Sequence, residues 1–179
     1  MKKVLLALSL AAAFGSAQAA NFVSFDVDQV KDTTNGAKSH AQYFRAGKDM
    51  AGLNMGLQVR TATFDGGGML NSVEVTAGKD LIKGINTFGG VGYDNGYNGG
   101  RSFTYGLVGA STGMPVGPAW GFGGVKTRVN WDNDNPKQTV TFVGLSLPVN
   151  KATSVSVSVS RSYQDITEKA YGVGLRLSY

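Results

Sequence analysis

The chain has 179 residues, a formal charge of +5, 26 glycines and no cysteine. Without cysteine there is neither a disulfide framework nor a lipidated thiol, so an exported domain must be held by a closed or well-packed architecture. Acidic and basic residues are interspersed rather than clustered, which argues against nucleic acid as a partner.

In chain order, Lys2 and Lys3 supply a positive start, Val4 to Phe14 an apolar run, and Ala17-Gln18-Ala19 a small-residue cleavage site. That tripartite pattern is a secretory signal peptide. The run is too short for a membrane helix, which takes about 20 apolar residues, and it has no polar face. The expected organisation is a signal peptide over 1–19 and one domain over 20–179. No later stretch is apolar enough for a transmembrane helix.

From Phe22 onward the dominant signal is a period of two. Leu53, Met55, Leu57 and Val59 alternate with Asn54, Gly56, Gln58 and Arg60. Val155, Val157 and Val159 alternate with serines from Ser154 to Ser160, and Tyr171 to Tyr179 alternates with Gly172, Gly174, Arg176 and Ser178. Half-buried strands read this way. Strands are expected at 22–30, 39–48, 53–65, 69–81, 85–93, 102–113, 119–131, 137–149, 153–163 and 168–179. Ten are favoured and eight are the alternative; the segment 39–48 is the least regular, because Tyr43/Arg45 and Phe44/Ala46 give no clean facing.

The strands are long enough for a tilted membrane crossing of about 9–11 residues, and their polar face is small, as a tight barrel interior requires. The fold class expected is therefore an all-β, up-and-down antiparallel transmembrane barrel; a soluble periplasmic β-protein is the alternative. Aromatics gather near strand ends: Tyr93, Trp131, Tyr163 and Tyr171 toward the outside, Trp120, Phe122 and Tyr179 toward the periplasm. They are expected to form interfacial girdles. With both ends of the domain in the periplasm, the polar, glycine-rich breaks fall outside the cell.

Inward charges follow from the same alternation: Arg60, Glu74, Lys126, Arg128 and Arg176. A Gly66–Gly68 hairpin centred on Gly67 places Val59 opposite Val75, Leu57 opposite Ala77 and Arg60 opposite Glu74. The lumen is expected to be mostly filled, with any residual passage slightly basic.

The last strand, Tyr171-Gly172-Val173-Gly174-Leu175-Arg176-Leu177-Ser178-Tyr179, resembles the terminal strand of bacterial outer-membrane proteins, and with the export signal the chain resembles the small OmpA/OmpX-like barrels. The resemblance implies residence in the cell outer membrane among lipids and lipopolysaccharide, and recognition of the terminal aromatic by the barrel-assembly machinery. It leaves function and oligomeric state open. Outer-membrane enzymes acting on lipid A or peptides are the rival class, but the single histidine, His40, has no catalytic partner nearby in sequence. No metal-ligand spacing appears, and Asp132-Asn133-Asp134-Asn135 reads as a turn rather than a Ca²⁺ loop. No cofactor is expected. A non-enzymatic barrel, structural or interacting or at most a narrow porin-like passage, is the functional expectation.

Overall fold

A computed structural model describes residues 21–82, 84–96, 102–131, 137–163 and 167–179. The expected signal peptide over 1–19 and the Asp132–Asn135 turn lie outside the described residues. Ten strands follow in order: β1 (Phe22–Asp32), β2 (Lys38–Met50), β3 (Leu53–Phe64), β4 (Met69–Ile82), β5 (Ile85–Asp94), β6 (Phe103–Val116), β7 (Ala119–Asn130), β8 (Gln138–Pro148), β9 (Thr153–Tyr163) and β10 (Thr167–Ser178). Each pairs antiparallel with its sequence neighbours, and β1 also pairs with β10, so the sheet closes. Closure removes both sheet edges, which answers the absence of disulfides.

The start of β1 and the end of β10 share one end of the barrel, here the terminus end; the opposite end is the far end. Connections at the terminus end are tight. Ala51 and Gly52 join β2 to β3 with φ of 54° and 80°, the two positive values of a type I′ turn. Gly117 has φ of 59° and precedes Pro118 between β6 and β7, which suits a type II′ turn.

At the far end, the β3–β4 hairpin corrects the expected register. Phe64 N–H donates to the Gly68 carbonyl at 3.0 Å, and Gly67 carries φ of 88°. The loop is therefore Asp65-Gly66-Gly67, a three-residue connection whose last member takes the left-handed conformation. Its centre falls on Gly66, one position earlier than expected, and every partner shifts by two. Leu57 faces Val75, Val59 faces Val73, Arg60 faces Ser72, and Gln58 faces Glu74. A two-residue shift keeps each side chain on its face, so inside and outside are preserved although the partners change.

The segment with ambiguous facing is a full strand. Tyr43 and Arg45 of β2 share the face of Asp26 and Ser24, and that face carries Glu74, Lys126 and Arg128 on the other strands. The opposite face is apolar: Val73, Val91, Val125, Val143, Val157 and Val173 are all exposed on it. One closed sheet with its aliphatic face outward is the reverse of a soluble sandwich, which excludes the soluble β-protein alternative.

The interior is layered. Nearest the far end, Val30, Ala41, Ala62 and Ala170 form a small buried apolar cluster against Tyr43, Phe64 and Leu70. Charged side chains occupy the middle. Toward the terminus end come phenyl rings, each lying over a glycine of the adjacent strand: Phe22 over Gly47, Phe88 over Gly109, Phe122 over Gly144. A Cβ at any of these glycines would collide with the ring, so the glycine is what admits an aromatic side chain into so narrow a lumen.

Candidate functional site

The lumen is the site, and Glu74 is its hub. β4 turns this carboxylate inward, where it is 3% exposed. Lys126 Nζ from β7 lies 2.7 Å from Oε2, and Arg128 Nη2, two residues along the same strand, bonds Oε1. The Tyr105 hydroxyl of β6 donates to Oε1 at 2.9 Å, and Gln58 Nε2 of β3 donates to Oε2 at 3.2 Å. Gly92, between Glu74 and Tyr105 in the register, leaves space for the Tyr105 ring. Four donors thus converge on one carboxylate from β3, β6 and β7. Arg128 carries the network on through Nη1 to Gln138 Oε1 of β8 at 2.5 Å, with its guanidinium 5.4 Å from the Tyr105 ring centre.

A second ion pair joins this hub. Arg45 Nη1 lies 2.5 Å from Asp26 Oδ2, and Ser24 Oγ donates to the same oxygen at 3.1 Å. Arg45 Nε donates to Gln58 Oε1 at 2.8 Å. Gln58 therefore accepts from one cluster and donates to the other. A continuous chain of hydrogen bonds runs from Ser24 through Asp26, Arg45, Gln58 and Glu74 to Arg128 and Gln138, crossing the barrel. Because a buried charge is tolerated only when paired and hydrogen-bonded, the members hold one another in place.

The expected inward charges are distributed unequally. Glu74, Lys126 and Arg128 meet. Arg60 does not pair with Glu74; its guanidinium stands 5.8 Å from the Tyr43 ring centre, and it lines the central cavity. Arg176 lies apart, 3.7 Å over the Phe22 ring. Among the described residues, the cavity wall carries no basic excess. Its carboxylates are Asp26, Asp28, Glu74 and Glu168. Its cations are Arg45, Arg60, Lys126 and Arg128, so the formal charges balance.

The expected aromatic girdles are partly corrected. Tyr93, Trp131 and Tyr163 are exposed around the far end and Tyr179 at the terminus end, while Tyr171 sits four residues inside β10. Phe122 and Trp120 belong to the lumen face: both share the parity of Lys126 on β7, Phe122 packing over Gly144 and Trp120 against Gly113. His40 is exposed on the outward face, opposite Gln29 and Thr63.

Two features escaped the sequence. Asp26, Asp28, Arg45, Gln58 and Tyr105 take part in the site, and their even-numbered or odd-numbered parity alone could have flagged them. The charged network also takes no side chain from β9 or β10. There β9 presents Ser156, Ser158, Ser160 and Ser162, and β10 presents Gly172 and Gly174. Between the network and the serines runs a cavity of about 420 Å³.

No protein-family model matches the chain, and no curated protein matches it. Solved structures do. The translocator domain of the autotransporter NalP from Neisseria meningitidis is similar over 99% of this chain and 96% of that one, at 10% identity and a TM-score of 0.58. The β domain of the Bordetella autotransporter BrkA is similar over 91% of this chain and 100% of that one, at 11% identity and a TM-score of 0.50. Such likeness concerns architecture: the chain has the closed, antiparallel, up-and-down fold of small outer-membrane β-barrels.

Proposed function

We propose that this protein is a non-enzymatic outer-membrane barrel, exported through the signal at 1–19, with a structural or interaction role and a lumen closed to ions. The observation that carries the reading is the Glu74 hub, which draws two cations and two neutral donors across the middle of the barrel. An ion threading that layer would have to replace these paired contacts while losing its own hydration. The apolar exterior supports a lipid environment, with lipopolysaccharide among its neighbours. Tyr179, exposed at the end of β10, is the residue we expect the barrel-assembly machinery to read. A lipid A- or peptide-directed enzyme is disfavoured by the placement of His40, outside the barrel and away from the inward carboxylates.

The test is outer-membrane fractionation with heat-modifiable gel mobility, followed by planar-bilayer recording of the refolded mature chain. A folded, membrane-resident species with no steady conductance in KCl is expected. A steady conductance would remove the closed lumen. One observation favours a second reading, a narrow passage: the serine-lined side of the lumen is not filled.

A further inference from the structure

The cavity beside the ionic network runs along most of the barrel. On β1 its lining extends from Phe22 to Val30. Eight residues at about 3.4 Å each, on strands tilted by about 40°, correspond to roughly 20 Å of height, against an apolar band of about 25 Å. One wall is a ladder of hydroxyls on successive inward positions of β9, from Ser156 to Ser162. Beside it, the side-chain space at Gly172 and Gly174 of β10 is taken up by neighbouring side chains. The Asp28 carboxylate and the Ser158 hydroxyl both stand over Gly172, and those of Asp26 and Ser156 stand over Gly174.

The hydroxyls are not used up in holding the fold. Ser162 is 9% exposed, lines the cavity, and its Oγ has no hydrogen-bond partner among the described residues. Arg60 Nε, on the facing wall, likewise has none. A hydroxyl donates one hydrogen bond and accepts two, so the ladder can replace the hydration of a solute that both donates and accepts. The charges of the described lining residues, by contrast, balance in number, and Asp26, Arg45, Glu74, Lys126 and Arg128 are paired with one another. An ion entering the lane meets no net countercharge to offset its desolvation.

We infer that this cavity is a lane for small uncharged polyhydroxylic solutes of glycerol size, running between the β9 serine ladder and the Arg45–Gln58–Glu74 network. The inference rests on the proposed ion-tight barrel and names what the unfilled side of its lumen would take.

The test pairs proteoliposome swelling in glycerol with planar-bilayer conductance in KCl, using the refolded mature chain. Swelling several-fold faster than in protein-free vesicles, with no KCl conductance, is expected. Ser158→Leu, which puts a branched apolar chain on the cavity wall, should return swelling to the protein-free rate, whereas Ser158→Thr should retain it. Heat-modifiable mobility shows which variants fold; Ser156→Val serves if Ser158→Leu does not. Wild-type swelling at the protein-free rate with KCl silence overturns the lane and leaves the closed barrel standing. KCl conductance overturns the closed barrel and the exclusion of ions together. Undiminished swelling in folded Ser158→Leu or Ser156→Val removes the lane from β9.

Discussion

Replacing Glu74 by Gln keeps the shape of the hub and removes its charge. Lys126 and Arg128, each with a side chain only 15% exposed, then face each other across a neutral amide. Removing one partner of a buried ion pair costs about 3–5 kcal/mol, because the remaining charge is desolvated and uncompensated. The amide oxygen can still accept from two donors, but the amide nitrogen cannot accept from the other two, so part of the hydrogen bonding is lost as well; each bond to a charged group is worth about 1.5–3 kcal/mol. The lumen cavity admits some solvation of the exposed cations, which places the expected loss near the lower figure, about 3 kcal/mol. Adding Lys126→Met removes one of the two stranded cations and should recover part of it. Urea unfolding in lipid vesicles, followed by tryptophan fluorescence and gel mobility, gives the double-mutant cycle. A coupling of at least about 1 kcal/mol is expected for residues in one network. A loss below about 1 kcal/mol for Glu74→Gln, or strict additivity with Lys126→Met, would refute the hub as a structural keystone.

Three further outcomes follow from register, facing and turn geometry. The chain has no cysteine, so introduced pairs report cleanly: Leu57→Cys/Val75→Cys should oxidise readily and Leu57→Cys/Ala77→Cys poorly, and the reverse order would restore the hairpin centred on Gly67. Val157→Arg, on an outward position 53% exposed, should lose about 2–4 kcal/mol in vesicle unfolding, and Ser156→Arg less; equal losses would undo the assignment of faces. Ala51→Asn should raise stability by about 1 kcal/mol, since Ala51 holds a φ of 54° that asparagine adopts more easily; an unchanged unfolding midpoint would show that this turn is not under strain.

Facing was legible wherever the two sides of a strand differ in chemistry. In β9 valines meet lipid and serines meet the lumen, so the alternation from Thr153 to Ser160 reads directly. In β2 it did not, because Tyr43 and Arg45 both belong inside: the guanidinium lies 4.7 Å from the ring centre, and an aromatic in that setting looks like a lipid-facing residue. Phe122 was misplaced for a related reason. Its position inside depends on Gly144, across the β7–β8 pairing, and nothing local to Phe122 announces that space. The Glu74 partners were out of reach for a different reason. Lys126 and Arg128 are 52 and 54 positions away, and only closure of the sheet carries β7 across from β4. The hairpin register failed on one detail of turn chemistry, because Gly66-Gly67-Gly68 accommodates a left-handed residue at more than one place.

The most direct measurement is the planar-bilayer conductance of the refolded mature chain beside its Glu74→Gln variant, both verified as folded by gel mobility. A lumen closed by the Glu74 hub gives a silent wild type, and a variant that conducts with anion preference because Lys126 and Arg128 are left without their carboxylate. A wild type that conducts, or a folded Glu74→Gln variant as silent as the wild type, would contradict it.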